Sequence, residues 1–126
     1  MSDASTTVAQ LRDLVERFVA EREWHPYHDA KNLSMSIAIE AAELMEHFQW
    51  ARNEQLANVL SEPGRRAEVV DELADVACYL MALANVLDID LSDALRQKLV
   101  KNAEKYPVEQ FRGQYYKPGR NTGATK

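Results

Sequence analysis

The chain has 126 residues, of which 46% are hydrophobic and 28% charged, and its net charge is −5 at pH 7. A chain of this length can build one hydrophobic core but not two. Residues 1–95 carry 7 basic and 18 acidic side chains, whereas residues 96–126 carry 8 basic and 2 acidic ones. The acidic body excludes duplex nucleic acid as the main partner, because binding to a phosphate backbone needs a continuous basic face.

Apolar residues recur at intervals of three and four, and this periodicity predicts an all-α fold. The first helix is predicted from Thr7 to Glu23, with a core stripe of Val8, Leu11, Val15 and Phe18. A loop rich in rings, WHPYHDAK, follows it. The second helix is predicted from Leu33 to Trp50, with Asn32 or Ser34 as its cap, and its core stripe comprises Leu33, Ile37, Ala41, Leu44 and Phe48.

The second half of the chain predicts two more long helices. A short helix in NEQLANVL and a break at Pro63-Gly64 precede the third, from Arg65 to Leu87, whose core stripe comprises Val69, Leu73, Val76, Leu80 and Leu87. Ser92 or Asp90 can cap the fourth helix, and Pro107 ends it. Residues 1–108 are thus predicted to form one domain, and residues 109–126, with Gly113, Pro118, Gly119 and Gly123, a flexible tail.

The third helix also bears on the compartment. Its uncharged run, Val76 to Leu87, is interrupted by Asn85 and is shorter than the ~20 residues of a membrane span. Cys78 is the single cysteine, which excludes an internal disulfide and fits a reducing compartment. The N-terminal MSDASTT carries no signal-peptide pattern. We therefore expect a cytoplasmic protein with no membrane partner.

Four acids lie inside the most apolar segments. Glu40 and Glu43 on the second helix, and Glu72 and Asp75 on the third, are each spaced i, i+3, so each pair lies on one helical face. Acids on helices are most often solvated, and Glu54, Glu62 and Asp71 fit that description. Four acids bordered by apolar surface are different, because carboxylates brought together must protonate or hold cations. Without a cysteine thiolate, these hard oxygen ligands suit Mg²⁺, with Mn²⁺ as a substitute.

The fourth helix carries a complementary basic face. Lys98, Lys101, Asn102 and Lys105 follow the spacing i, i+3, i+4 and i+7. Such a face is commonly a solvated one. Beside an acidic metal site, it would instead clamp phosphate oxygens that the metals do not reach.

Several segments together resemble the MazG-like all-α nucleoside triphosphate pyrophosphatases, in particular the dCTP pyrophosphatase branch. The resemblance covers about Val8 to Val108. It is carried by FVAEREWHPYHDAKNL, by E-x-x-E at Glu40 and Glu43, by FQW, by E-x-x-D at Glu72 and Asp75, and by KLVKNAEKYP. It implies a four-helix, bundle-like protomer, assembled as a homodimer or homotetramer, that hydrolyses a (deoxy)nucleoside triphosphate to the monophosphate and pyrophosphate with Mg²⁺.

The same resemblance implies roles for individual residues. The metal ligands would be Glu40, Glu43, Glu72 and Asp75, and Glu43 is our choice of general base. Residues contacting the nucleotide would be Tyr79, Lys98, Asn102 and Lys105, while Trp24, Tyr27, His28 and Trp50 would hold the base and sugar. We add Asn32 to the predicted substrate-binding residues. One position departs from the branch: vertebrate members have a base-contacting His where this chain has Val15.

Two other functions remain open from the sequence. A carboxylate-bridged di-iron bundle also uses inward-facing Glu residues, but it normally needs two E-x-x-H pairs, and no His follows Glu72 or Asp75 at that spacing. A non-catalytic helical interaction module would leave the clustered acids without a role. Surplus apolar residues on the second and third helices predict an oligomer. They are Met35, Ala38, Ala42 and Met45, and Val70, Ala74, Ala77 and Met81.

Overall fold

The structure, a computed structural model, describes residues 1–118 and is helical, so the all-α prediction is confirmed. Contacts divide the chain into two compact units, Met1–Ile89 and a second unit that begins at Asp90. The helices are α1 (Val8–Glu21), α2 (Ala30–Glu46), α3 (Leu56–Ser61), α4 (Pro63–Val86), α5 (Leu91–Lys105) and α6 (Val108–Phe111). Gly119 and Gly123 of the predicted tail lie outside the described residues.

Side-chain caps fix where the helices start. Thr7 and Gln10 form a capping box at the start of α1. Asp29 caps α2, and its Oδ1 accepts a hydrogen bond of 2.8 Å from the Asn32 backbone N–H. The prediction of Asn32 or Ser34 as this cap is therefore wrong, because the helix begins earlier, where Asp29 satisfies the free N–H groups of its first turn. Asp90 caps α5, as one of the two sequence alternatives proposed.

Helix α2 also ends earlier than expected. The N–H groups of Phe48, Gln49 and Ala51 bond to the carbonyls three residues back rather than four, so the chain tightens into turns after Glu46. Trp50 was predicted to be the last residue of this helix, but it lies beyond the end of α2. The break predicted at Pro63-Gly64 lies one residue earlier, at Glu62, which is extended between α3 and α4. Pro63 is the first residue of α4, a position where a missing N–H costs nothing.

Within the first unit, α2 and α1 each pack on α4. The buried apolar residues are Val19, Leu33, Val59, Ala82 and Ala84. The predicted core stripes of α1 and α4 are partly wrong. Phe18 is 48% exposed and Leu73 57%, and Leu11, Leu80 and Leu87 are exposed as well. Val69 and Val76 of the predicted α4 stripe are among the less exposed positions. The others on α4 are Glu72, Tyr79, Met81, Ala82, Leu83, Ala84 and Asn85.

A wide apolar surface consequently remains open on α2 and α4. We call it the apolar face, and it comprises Met35, Ala38, Ile39, Ala42 and Met45 of α2, and Val70, Leu73, Ala74 and Ala77 of α4. Met45 is 69% exposed and Met35 57%. Both helices have two apolar stripes, and periodicity alone does not tell which one faces the chain's own core. The stripe that packs inward is the one that the acids border, with Glu40 and Glu72 partly buried and Glu43 and Asp75 exposed.

The second unit contains α5 and α6. Tyr106, Phe111 and Tyr116 form a ring cluster, with centroids 5.2 Å and 5.7 Å apart for the successive pairs. Gly113 takes a positive φ of 73° in the turn after α6, a conformation that favours glycine. Across residues 1–118, the structure contains no helix that is both long and apolar enough to cross a membrane.

Candidate active site

Packing of α2 on α4 brings three carboxylates together. Glu40 and Glu43 lie one turn apart on α2, and Glu72 lies on α4. One oxygen from each of them lies within 4.8 Å of the others. We call Glu40, Glu43 and Glu72 the acid cluster. Because the three side chains come from two packed helices, their separation is set by the helix contact rather than by a loop.

The cluster is electrostatically unfavourable when its acids are ionised. Burial is the largest cause that raises the pKa of Glu40, and the charges of Glu43, Asp75 and Glu72 raise it further. Burial likewise raises the pKa of Glu72, as do the charges of Glu43 and Asp75, while His47 partly offsets the increase. Asp75 is thus near enough to act on both glutamates. A divalent cation would relieve this repulsion.

The donor set fits a hard cation. The three members of the cluster offer carboxylate oxygens, and Asp75 is a fourth acid of the same kind beside them. Oxygen ligands of this type suit Mg²⁺ and Mn²⁺. A Mg²⁺ ion held by few carboxylates retains coordination positions for water and for phosphate oxygens.

A polar cavity of about 630 Å³ adjoins the cluster on one side. Glu43 and Glu72 line it, and the turn after α2 contributes His47 and Trp50. Arg65, near the start of α4, lines it as well. This space is wide enough for several phosphate groups, and it combines acids with a guanidinium group.

An apolar cavity of about 510 Å³ lies between α1 and α4, and we call it the apolar cavity. Asp75 is one of its lining residues, so it is adjacent to the acids. Its other walls are mostly apolar or aromatic and include Val15, Phe18, Trp24, Cys78, Tyr79 and Ala82. Pockets that hold a planar organic group are typically of this composition.

The loop between α1 and α2 supplies the rings of this cavity. Glu23 adopts a left-handed φ of 54°, and the Trp24 N–H bonds back to the Val19 carbonyl at 3.1 Å. This turn directs the indole onto Phe18, with ring centroids 5.8 Å apart in an edge-to-face arrangement. The reversal after α1 therefore fixes the position of Trp24.

His28 lies between two of these rings. Its ring centroid is 6.1 Å from that of Trp24 and 6.5 Å from that of Tyr79. Its Nδ1 is buried and has no hydrogen-bond partner within residues 1–118. A buried nitrogen of this kind is costly unless another group satisfies it. His28 is therefore a candidate contact for a polar atom of a bound molecule.

A smaller cavity of about 240 Å³ continues from this loop. Tyr27 and Asn32 line it together with Trp24, His28 and Tyr79. The Asn32 side-chain amide donates a 3.0 Å hydrogen bond to the Tyr27 carbonyl, which ties the loop to the first turn of α2. The predicted residues of the loop thus surround connected space around His28.

The structure separates two residues that the sequence analysis grouped together. Trp50 lines the polar cavity and is 86% exposed, whereas Trp24 lines the apolar cavity. Within one chain the two indoles therefore do not share a cavity. The residues predicted on the fourth helix, Lys98, Asn102 and Lys105, lie on α5 in the second unit, and their role stays a prediction.

Some lining residues were missed by the sequence analysis. Phe18 was assigned only to the core stripe of α1, although it lines the apolar cavity, and Val15, which also lines it, was assigned to that stripe and singled out only through the resemblance. A cavity wall and a core stripe have the same apolar periodicity, so the pattern does not distinguish them. Arg65 gave no signal either, because exposed arginines such as Arg65 and Arg66 are common near a helix start.

Comparison with known proteins gives a consistent family. Residues 35–117 match the model of the MazG-like family. A protein named dCTP pyrophosphatase 1 from Rattus norvegicus is 37% identical over 107 residues, which cover 85% of this chain and 63% of the rat protein. The protein of the same name from Homo sapiens is 36% identical over 102 residues, covering 81% and 60%. The chain thus spans less than two thirds of the length of these relatives.

The match with a solved structure covers more of the related protein than the matches above. The crystal structure of a pyrophosphatase from Archaeoglobus fulgidus superposes with a TM-score of 0.75 at 40% sequence identity. The match covers 85% of this chain and 98% of the archaeal one.

Replacing Glu72 by Gln should stabilise the metal-free protein at neutral pH. The raised pKa means that the folded state binds this proton more tightly than the unfolded chain does, so ionised Glu72 destabilises the fold above its raised pKa. That destabilisation disappears as the pH falls through the raised pKa towards 4.5. Calorimetry in EDTA should show a higher Tm for Glu72→Gln than for wild type at neutral pH. This difference in Tm should shrink as the pH falls.

Addition of Mg²⁺ should reverse the order of thermal stability, so that wild type has a higher Tm than Glu72→Gln. Saturating Mg²⁺ should raise the Tm of wild type by about 4 °C or more, since ligand binding stabilises the folded state, and should raise that of Glu72→Gln much less. Asp71→Asn is the matched control, because Asp71 is an exposed acid adjacent on α4. An equal Mg²⁺ response in wild type and Glu72→Gln would remove Glu72 from the metal site.

Proposed function

The chain belongs to the MazG-like family, and we propose that it is a Mg²⁺-dependent pyrophosphohydrolase that converts a nucleoside triphosphate to the monophosphate and pyrophosphate. The observation that carries this proposal is the acid cluster, whose oxygens lie within 4.8 Å of one another. Cavities adjoin these acids, one polar and one apolar. A nucleoside triphosphate has the matching polarity, with phosphates at one end and a planar base at the other.

The alternatives fit the site less well. A di-iron centre would need histidine ligands, and the acid cluster consists of glutamates alone. A non-catalytic interaction module would not require repelling carboxylates beside two cavities. The named relatives and the archaeal structure are pyrophosphatases, which further supports hydrolysis of a phosphoanhydride bond.

Glu40, Glu43, Glu72 and Asp75 would hold the Mg²⁺, with Mn²⁺ as a substitute. When bound, the metal would neutralise part of the triphosphate charge and lower the pKa of the water that attacks phosphorus. Glu43 is the most exposed of the three cluster members. It lines the polar cavity and therefore can accept the proton of the attacking water there.

The base would occupy the apolar cavity. Trp24 offers an indole face for stacking, which is worth ~1 to 3 kcal/mol per base. His28 presents its unpaired Nδ1 close to Trp24 and Tyr79, so a polar edge of the base or sugar could satisfy it. We propose dCTP or a modified dCTP as the preferred substrate, in keeping with the names of the relatives, and removal of unwanted nucleotides as the role.

The first prediction concerns the products. With Mg²⁺ the protein should release pyrophosphate and a nucleoside monophosphate, as product chromatography of a nucleotide panel will show. Glu43→Gln keeps the shape but removes the charge, so turnover should fall at least ~100-fold with folding intact. Asp71→Asn is the control and should retain its rate. Release of orthophosphate and a diphosphate would contradict the proposed cleavage site.

The second prediction concerns the base. Trp24→Ala and Trp50→Ala should each raise KM for the best nucleotide by ~10-fold, because each removes a stacking surface, and should leave any hydrolysis of inorganic triphosphate unchanged. Tyr115→Ala is the control, because Tyr115 is fully exposed in the second unit. An unaltered KM and base ranking in either Trp variant would remove that residue from the base site.

We further propose that the protein is a homodimer or homotetramer in which a second copy covers the apolar face. Exposed patches of this extent are unusual on a monomer. Trp50, 86% exposed and apart from Trp24 in its own chain, would then contact the nucleotide of the neighbouring copy. The two tryptophans of one base site would thus come from two chains.

Co-expression of Trp24→Ala and Trp50→Ala chains tests this arrangement. In a mixed dimer, one of the two shared sites keeps both tryptophans, so about a quarter of all sites should regain the wild-type KM. Trp24→Ala co-expressed with a chain carrying both substitutions is the control and should regain none. Light scattering that gives an active monomer at micromolar concentration, or absence of complementation, would contradict the shared site.

A further inference from the structure

A polar contact joins α1 to α4 at the position where Asn85 interrupts the apolar run of α4. The Arg12 Nε donates to the Asn85 Oδ1 at 2.8 Å, and the Asn85 Nδ2 donates to the Arg12 carbonyl at 3.1 Å. The Arg12 Nη2 also donates to the Ala84 carbonyl at 3.3 Å. All three hydrogen bonds are partly buried and link residues more than 70 positions apart. We call Arg12 and Asn85 the interhelix pair.

The interhelix pair lies at one end of the apolar cavity. Arg12 is one turn before Val15 on α1, and Asn85 is one turn after Ala82 on α4, while Val15 and Ala82 both line the cavity. Asp75, at the acid end, is ten residues before Asn85, which is about 15 Å along the helix axis. The pair is therefore remote from the acid cluster but adjacent to the end of the cavity formed by Val15 and Ala82.

The other contacts of α1 do not fix its position as sharply. Val19 is buried, but Leu11, Leu14 and Phe18 are each more than a third exposed, and apolar contacts have no preferred direction. Hydrogen bonds depend steeply on distance and angle. The reciprocal bonds of the interhelix pair thus determine the separation and register of α1 on α4.

We propose that Arg12 and Asn85 are positioning residues for base selection, because they set the width of the cavity that receives the base. The proposal rests on the proposed function, which places the base there. A base that stacks on Trp24 meets the walls formed by Val15 and Ala82. A change in the separation of these walls alters how well each base fits, whereas the acids on α2 and α4 keep their geometry.

Removal of the pair should therefore affect KM and base ranking but not the chemical step. Asn85→Ala and Arg12→Gln should each raise KM for the best nucleotide at least ~5-fold with kcat within ~2-fold of wild type, because uniform binding is lost without loss of transition-state contacts. The ratio of kcat/KM between the best and the worst base should narrow. The double variant should have a KM no higher than those of the single variants, because each single substitution already breaks the hydrogen bond between the two side chains of the interhelix pair.

Arg17→Gln is the matched control. Arg17 is an exposed Arg of the same helix, and its Nε bonds only weakly, at 3.4 Å, to the Asp13 carbonyl of that helix. Asn85→Asp gives a second test if Asn85→Ala does not fold. It keeps the acceptor for the Arg12 Nε but loses the donor to the Arg12 carbonyl, so its KM should lie between those of wild type and Arg12→Gln.

The possible outcomes distinguish failure of the positioning role from failure of the proposed function. Unchanged KM and base ranking in folded Asn85→Ala or Arg12→Gln, with an active wild type, would overturn the positioning role and leave the proposed function intact. An equal loss of kcat for every nucleotide would also overturn it, because that is the result of a general structural defect. A wild type that hydrolyses no nucleotide would overturn the proposed function and this proposal with it.

Discussion

Repulsion among the carboxylates between α2 and α4 is the constraint on which the remaining structure depends. Glu40 and Glu72 both have raised pKa values in the absence of a cation, chiefly through burial and then through neighbouring acids. A fold that optimised its own stability would not place these groups together. This unfavourable repulsion is present where α2 packs on α4, and it is relieved either by protonation at low pH or, at neutral pH, by a bound cation. Binding and folding are therefore coupled through the same few side chains.

The same constraint explains why the protomer leaves so much apolar surface open. Glu40 and Glu72 lie partly buried where the two helices pack, whereas Met35, Met45 and Leu73 lie on exposed faces. A single chain of this length cannot use both stripes at once, because its inner contact is already taken by the site. In the proposed oligomer, a second copy would cover this face without disturbing the acids. Site formation and assembly would then both follow from which face of each helix packs inward.

Much of this could be predicted from the sequence, but not all of it. Spacing of i, i+3 was enough to predict that each pair of acids lies on one helical face, because a helix fixes the relation between residues one turn apart, and packing of α2 on α4 then brings Glu40, Glu43 and Glu72 together. Helix ends were less predictable. Asp29 rather than Asn32 caps α2, and α2 stops before Trp50, since caps and tightened turns depend on a few competing hydrogen bonds. The facing of apolar stripes was unpredictable because Leu73 and Val76 are equally apolar, and the structure leaves Leu73 exposed.

The acid cluster and the apolar cavity share α4 but differ in their second helix. The acid cluster belongs to α2 and α4, whereas the wall of the apolar cavity opposite α4 belongs to α1. Substitutions on α1 can therefore reshape the proposed base site without replacing a carboxylate. Val15, where vertebrate members of the dCTP pyrophosphatase branch have a His, lies on this wall. A valine cannot donate a hydrogen bond to a base, so under the proposed function another group would have to contact the polar edges, and the buried, unpaired Nδ1 of His28, whose ring lies 6.1 Å from that of Trp24, is a candidate.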